Sequence, residues 1–158
     1  YNFFKLKYKN KMDINFSIQI NAPREKVWSV LFDDATYRQW TAAFHEGSYA
    51  ETDWQEGSKA LFLGPGGKDG MVSTIARNIP NEFLSIKHLG TVKDGVEDTT
   101  SEEVQKWNGG LENYTLKEKD GGTELTVDGS KIPEEYKDYF TGVWPKALAK
   151  VKELSESK

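Results

Sequence analysis

Few side chains in this sequence are of the types that perform chemistry. The chain has no cysteine and only two histidines, His45 and His88, which excludes thiol nucleophiles, disulfides and histidine-rich metal sites. His88 shares one parity with Leu84 and Ile86 in a strongly apolar segment, so a strand there would carry its ring into an apolar pocket. Two interpretations stay open for His88, a group that orients a ligand and a satisfied core histidine. His45 is interpreted as a solvated loop residue.

The carboxylates do not indicate a general acid–base pair. The pairs 33–34, 102–103 and 134–135 are sequence neighbours, and neighbours point away from each other on a strand or a helix. No Asp or Glu stands at a spacing that predicts a dyad with either histidine. The glycine-rich residues 64–70 lack the ending of a phosphate-binding loop and are predicted to form a turn. We therefore predict no catalytic residue, no metal and no cofactor, and the sequence favours a protein that is not an enzyme.

Composition narrows the class of protein further. The 158 residues fit one domain, and the formal net charge of -4 argues against binding to nucleic acid. No apolar run approaches the length of a membrane span. The absence of cysteine fits a reducing compartment, so we expect a cytoplasmic location. Aromatic residues make up 13% of the chain, which is more than a minimal core needs.

The elements that must position these residues are a long helix and a series of strands. Residues 133–158 predict one amphipathic helix, because apolar residues recur along a single face: Tyr136, Phe140, Val143, Trp144, Ala147, Leu148, Val151 and Leu154. Residues 14–20 alternate strictly and predict a strand. Two short helices are expected at 23–32 and 35–40, and short strands with turns fill most of 46–130, with residues 93–103 as a surface loop. Asp120-Gly121-Gly122 predicts a tight hairpin.

These patterns predict an α+β fold in which a curved antiparallel sheet of about seven strands wraps around the C-terminal helix. The segments resemble the helix-grip superfamily, which includes START lipid-transfer domains, polyketide cyclases and the birch-pollen allergen (SRPBCC). The closest resemblance is to the activator of heat-shock-protein-90 ATPase homologue family, in its bacterial single-domain members. Four segments carry it: residues 20–28 (Ile-Asn-Ala-Pro-Arg-Glu-Lys-Val-Trp); Trp40; Gly70-x-Val72 followed by Pro80; and residues 122–126 (Gly-Thr-Glu-Leu-Thr) with Gly142-Val143-Trp144 and Leu148. The valine between Gly142 and Trp144 departs from the family pattern.

The resemblance implies a cavity between the sheet and the C-terminal helix. Its predicted lining residues are Trp40, Phe44, Phe62, Met71, Ile86, His88, Tyr114, Phe140 and Trp144. The function that the sequence favours is binding of a small apolar or aromatic molecule without covalent chemistry. One alternative is a protein-interaction module related to chaperone ATPase activators. A weaker alternative is a cyclase- or hydrolase-like enzyme that uses His88 or Tyr114.

The domain boundaries follow the same resemblance. We expect a single domain over residues 12–156, and residues 1–11 as an N-terminal extension, with Met12 as the natural start. Lysines alternate with Phe4, Leu6 and Tyr8 in that extension. It would extend the first strand or pair with a second chain, so a homodimer is permitted but not required.

Overall fold

The computed structural model describes residues 10–158, which form eight strands and four α-helices. In chain order they are β1 (Lys11–Ile20), α1 (Arg24–Phe32), α2 (Asp34–Thr41), β2 (Tyr49–Glu51), β3 (Lys59–Leu63), β4 (Gly70–Ile79), β5 (Phe83–Lys93), β6 (Val96–Asp98), α3 (Glu102–Gln105), β7 (Leu111–Lys119), β8 (Gly122–Pro133) and α4 (Lys137–Glu156). A single 3-10 turn, Glu134–Tyr136, precedes α4.

All strand pairs are antiparallel, and the sheet has the order β1-β8-β7-β5-β4-β3-β2, with β6 paired to the end of β5. The chain passes from β1 at one edge to β2 at the opposite edge through α1 and α2. Helix α4 contacts β1, α1 and α2, and α1 contacts β7. The three helices therefore share one face of the sheet, and the predicted arrangement of sheet and C-terminal helix is confirmed.

One segment differs from the prediction. Residues 93–103, expected as a surface loop, contain β6 and lead into α3, so the sheet has eight strands rather than seven. Asp94 and Gly95 both have positive φ, and Lys93 pairs with Val96 across this two-residue turn. The hydroxyl of Ser101 then accepts the Val104 N–H at the start of α3. The polar residues of this segment are therefore turn and capping residues.

The predicted hairpin between β7 and β8 is confirmed. Lys119 pairs with Gly122, so Asp120 and Gly121 alone form the turn. Their φ angles are 52° and 77°, as a two-residue turn of the primed type requires. This turn fixes the register of β7 against β8, and a slip by one residue would exchange the two faces of β7.

The core lies between α4 and the sheet. Trp144, Ala147, Leu148 and Val151 are buried on one face of α4, as the periodicity predicts, and belong to the same cluster as Ile20 of β1. The helix begins at Lys137 because residues 134–136 form the 3-10 turn. Pro145 lies inside α4 and removes one backbone hydrogen bond from it.

The expected extension, residues 1–11, falls mostly outside the described range. Lys11 itself belongs to β1 and pairs with Pro133. Among residues 10–158, no helix has both the length and the apolar character that a membrane crossing requires.

We predict that Leu148→Ala lowers the free energy of unfolding by about 2–5 kcal/mol, because it leaves a cavity where a fully packed leucine stands. Leu148 is 2% exposed within the main core cluster. Urea denaturation followed by circular dichroism measures the change. The matched control is Lys146→Ala on the exposed face of α4, with an expected change within about 0.5 kcal/mol. Equal effects of the two substitutions would contradict the packing described for α4.

Candidate functional site

A partly open cleft of about 620 Å³ lies between the sheet, α2 and the first half of α4. We call it the central cleft. Its walls come from α2 and the loop after it, from β2, from β3, β4 and the turn between them, and from β5, β7 and α4. Most of its large side chains are aromatic: Tyr37, Trp40, Phe44, Tyr49, Phe62, Tyr114, Phe140 and Trp144. A cleft of this size and lining is typical of small-molecule sites.

The structure brings together most of the residues that the sequence predicted for a cavity. Those that line the central cleft are Trp40, Phe44, Phe62, Met71, His88, Tyr114, Phe140 and Trp144. Ile86 does not; it pairs with Ile75 of β4, is 2% exposed and belongs to the packed core. His45 stands in the exposed loop after α2, at the edge of the cleft, with Nδ1 2.9 Å from the Glu46 carbonyl oxygen. Contact of these residues with a ligand stays a prediction.

Trp144 contacts several other aromatic residues of the cleft wall. Its ring centroid lies 4.8 Å from that of Phe44, 6.3 Å from Trp40 and 6.4 Å from Tyr114. The three partners come from the loop after α2, from α2 and from β7, so one side chain of α4 joins them. Its indole Nε1 is buried and has no hydrogen-bond partner among the described residues.

A chain of hydrogen bonds crosses the floor of the cleft. Ser73 Oγ lies 2.7 Å from His88 Nδ1, and His88 Nε2 lies 2.9 Å from Glu112 Oε1. The Tyr114 hydroxyl donates to the other carboxylate oxygen, Oε2 of Glu112. The sequence spacing predicted no dyad between an acidic residue and either histidine, but the structure pairs Glu112 with His88. The reason is that Glu112 reaches His88 through strand pairing rather than through local spacing.

Pairing between neighbouring strands positions the hydrogen-bonded side chains in two steps. Ser73 of β4 stands opposite His88 of β5, and a bulge separates this pair from the pair Val72–Gly90. On the other side of β5, Glu112 of β7 stands opposite Ile86, which is two residues from His88. The Glu112 carboxylate and the His88 ring therefore lie on one face of adjacent strands. Bulges are frequent next to functional sites because they redirect a side chain.

The proton positions follow from the hydrogen-bonding capacity of each group. A carboxylate can only accept, so Nε2 of His88 carries a proton. In the neutral ring Nδ1 is then an acceptor, and the hydroxyl of Ser73 donates to it. Tyr114 likewise donates to Glu112. Glu112 thus receives one hydrogen bond on each oxygen, and Ser73 fixes the orientation and tautomer of His88.

The hydrogen bonds also set the ionisation of the cleft. Burial by itself raises the pKa of Glu112, but the hydrogen bond of His88, its positive charge when the ring is protonated, and the hydrogen bond of Tyr114 outweigh burial and lower that pKa. Burial, and next the negative charge of Glu112, raise the pKa of Tyr114 well above its usual range. The same two causes raise the pKa of Tyr37. Glu112 is therefore a carboxylate and both tyrosines are neutral donors at neutral pH.

The order Ser–His–Glu is also that of hydrolase triads, but the geometry does not fit a nucleophilic serine. Ser73 is 0% exposed and is not among the lining residues of the cleft. Its hydroxyl is therefore behind the His88 ring, where no substrate carbonyl can approach it. Of the hydrogen-bonded group, the side chains that line the cleft are those of His88, Glu112 and Tyr114.

Two further depressions adjoin the domain surface. One, of about 480 Å³, runs from the His88–Glu112 pair along β8 and the 3-10 turn, and we call it the side cleft. It shares five lining residues with the central cleft: Met71, His88, Glu112, Phe140 and Trp144. The pair therefore lies where the two clefts meet. The other, of about 580 Å³, lies between the start of α1 and the β7–β8 turn, and its described lining includes no aromatic residue.

Sequence reasoning missed Glu112 and Ser73. The signal for Glu112 was strand parity, because Glu112 and Tyr114 are two residues apart and point to the same face of a strand. A prediction that placed Tyr114 in the cavity implied the same for Glu112. Ser73 gave no such signal, since its role depends on the bulge opposite it. Within residues 10–158, no three His, Asp or Glu side chains converge as a metal ion requires.

The fold defined above also occurs in solved structures of low sequence identity. Protein CV1439 from Chromobacterium violaceum matches with a TM-score of 0.65 and 19% identity, over 92% of this chain and 98% of that one. The Aha1 dimer from Colwellia psychrerythraea matches with 0.67 and 20%, over 92% and 96%. CalU16 from Micromonospora echinospora matches with 0.64 and 18%, over 92% and 77%. No curated protein sequence is similar enough to this chain to count as a match.

The antiparallel sheet and long C-terminal helix make this a helix-grip protein, with the cleft between them as its candidate site. Residues 21–156 match the model of the family described as Activator of Hsp90 ATPase homolog 1-like protein. The chain belongs to that family.

We predict that Glu112→Gln makes the acid limb of the stability curve less steep. The folded-state pKa of Glu112 is lowered, so its ionised form stabilises the fold. That contribution is complete above the ordinary glutamate pKa of about 4.3, and is lost as the pH falls through the lower folded-state value. Urea denaturation between neutral pH and about pH 3 measures it.

At neutral pH the same substitution is expected to cost about 1–3 kcal/mol, because glutamine cannot accept both hydrogen bonds that the carboxylate receives. Glu118→Gln is the matched control on the same strand, with a side chain that is 78% exposed. Its curve should run parallel to that of the wild type. A Glu112→Gln curve that is also parallel would contradict the network.

Proposed function

We propose that the protein binds a small apolar or aromatic molecule in the central cleft without covalent chemistry. The observation that carries the proposal is the combination of an aromatic lining with a few converging polar groups, the side chains of His88, Glu112 and Tyr114. Binding would be driven by removal of apolar surface from water, about 25 cal/mol per Å². The hydrogen-bonding groups would set the orientation of the ligand.

We also propose a cytoplasmic location, because the absence of cysteine fits a reducing compartment.

An acid–base enzyme is less well supported. Tyr114 already donates its hydroxyl proton to Glu112 and has a raised pKa, which opposes its use as a general acid at neutral pH. The lowered pKa of Glu112 makes it a weak general base. The hydroxyl of Ser73 does not reach the cleft. The groups that face the cleft are suited to orienting a ligand.

We predict that native mass spectrometry of the freshly purified protein shows an extra mass that is lost on denaturation. The same spectrum reports whether the protein forms a homodimer. Met71→Trp should remove the extra mass, because Met71 lines both clefts and a larger side chain there fills their junction. The matched control is Thr115→Trp, which adds the same side chain on β7 with the opposite parity to Glu112 and Tyr114 and should retain the ligand.

An extra mass that Met71→Trp retains would place the ligand elsewhere. If none of the three proteins shows an extra mass, the proposal is tested by titration with tert-butylbenzene. Binding is followed through the indole N–H signals of the tryptophans. Trp40 and Trp144 line the central cleft, whereas Trp28 packs against Phe32 outside it. No change in the Trp40 and Trp144 signals would contradict the proposal.

A second candidate function is a protein-interaction module that stimulates a chaperone ATPase, as the family description suggests. The observation that favours it is the exposure of two tyrosines that both lie against Phe140, one in the 3-10 turn and one in the first turn of α4. Tyr136 is 47% exposed and Tyr139 is 44% exposed. Exposed aromatic residues that lie together are typical of partner-binding surfaces.

If this candidate is correct, adding the protein to an Hsp90-type chaperone raises the rate of ATP hydrolysis. The double substitution Tyr136→Ser and Tyr139→Ser should then reduce the stimulation at least tenfold, because aromatic residues often supply most of the binding energy of an interface. Val96→Ser is the matched control, since Val96 is 67% exposed on β6. No stimulation by the wild-type protein would reject this candidate.

A further inference from the structure

The central cleft has an unbalanced distribution of charge. Among the described residues its lining contains two carboxylates, Asp69 and Glu112, and no lysine or arginine. Asp69 lies in the turn between β3 and β4, where its Oδ1 accepts the backbone N–H of Asp94. Glu112 lies deeper, on β7, with a side chain that is 28% exposed. The ionisable lining groups therefore give the cleft a net negative charge when its histidines are neutral.

The charge of Glu112 is not matched by a permanent cation. Within residues 10–158, its ion-pair and hydrogen-bond partners are His88 and Tyr114. Tyr114 is a neutral donor. His88 is also neutral when Ser73 donates to its Nδ1, which is the arrangement that satisfies all three groups. A carboxylate removed from water without a compensating cation is costly, and a cationic ligand would supply the missing charge.

The surroundings of Glu112 favour a cation for a second reason. The rings of Trp40, Phe44 and Trp144 line the same cleft. The face of an aromatic ring is electrostatically negative and attracts ammonium groups, most strongly when they are desolvated. The rings and the carboxylate therefore act on a ligand charge in the same direction.

We propose that the central cleft recognises a ligand that carries a protonated amine or quaternary ammonium group, held between the Glu112 carboxylate and the surrounding aromatic rings. This inference rests on the proposed function, because it assigns a chemical class to the ligand of the same cleft. It also excludes a class: carboxylate or sulfonate ligands are repelled from this position. The side cleft differs because its lining has both signs of charge, Lys93 and Lys131 beside the carboxylates of Glu103, Glu112 and Glu135.

Three probes of matched shape and different charge test the inference. Phenyltrimethylammonium is cationic, tert-butylbenzene is its neutral isostere, and benzenesulfonate is anionic. Each is titrated into the full chain at about pH 8, and the indole N–H signals of Trp40 and Trp144 report occupancy of the cleft, with Trp28 as the internal control. We expect the cation to bind at least tenfold more tightly than the neutral isostere, and the anion not to perturb either cleft signal.

Two glutamate variants separate charge from shape. Glu112→Gln retains the size of the side chain and removes its charge, so it should abolish the tenfold preference while tert-butylbenzene affinity changes less than about twofold. Glu118→Gln removes a carboxylate from the exposed end of the same strand and should leave all three affinities unchanged. Thermal unfolding of each variant verifies that it is folded at the temperature of the titration. If Glu112→Gln is unfolded, Asp69→Asn in the wild-type background is used, with an expected weakening of cation binding of at least twofold.

The outcomes distinguish failure of this inference from failure of the proposed function. Equal affinity of the neutral and cationic probes for the cleft, or tighter binding of the anionic probe, would overturn the inference. Either result would leave a small-molecule site in place. A cation preference that persists in Glu112→Gln, or cation binding that Asp69→Asn weakens less than twofold where that variant replaces it, would overturn the assignment to these carboxylates. If no probe perturbs Trp40 or Trp144, both the inference and the proposed function are rejected.

Discussion

Burial of one apolar stripe of α4 is the interaction on which the rest of the structure depends. Helices α1 and α2 are short, with nine and eight residues, and helices of that length are marginal without tertiary packing. They become stable by packing against α4, which also contacts β1 at the edge of the sheet. The stripe is buried mainly from Trp144 onward. The part of α4 before Trp144 is less tightly packed, and the cleft lies beneath that part.

The site and the core share residues, so the site cannot vary independently of the fold. Tyr114 and Trp144 belong to the main core cluster and also line the central cleft. The burial that disfavours a charge on Glu112 also excludes water from the hydrogen bonds that stabilise it. Removing a donor to Glu112 would therefore affect both stability and any ligand interaction. This dual role explains why a carboxylate is tolerated beside so many rings: both of its oxygens are hydrogen-bonded.

The sequence predicted what depends on local periodicity. The stripe of α4, the strand β1 and the turn at Asp120 follow from spacing and turn chemistry, whereas the aromatic lining of the cleft was implied by the family resemblance. The pairing of His88 with Glu112 followed from neither, because it joins residues 24 positions apart through strand register and a bulge that no local pattern marks. Ile86 was misplaced for a related reason, since parity alone does not tell the covered part of a strand from its open end. The short elements β6 and α3 were hidden because turn and capping residues have the same composition as a loop.

The uneven burial of α4 has a consequence for how its two halves exchange with solvent. The first seven residues of the helix, 137–143, have no fully buried side chain, whereas Ala147, Leu148 and Val151 anchor the second half. Pro145 also removes a backbone hydrogen bond between the halves. The free energy required to open the helix is therefore graded along its length, lowest at the end above the cleft. Amide hydrogens of the first two turns should exchange through local fraying, and those near Val151 only when the whole domain unfolds. The end of α4 above the cleft therefore opens at a lower free energy than the end that holds the domain together.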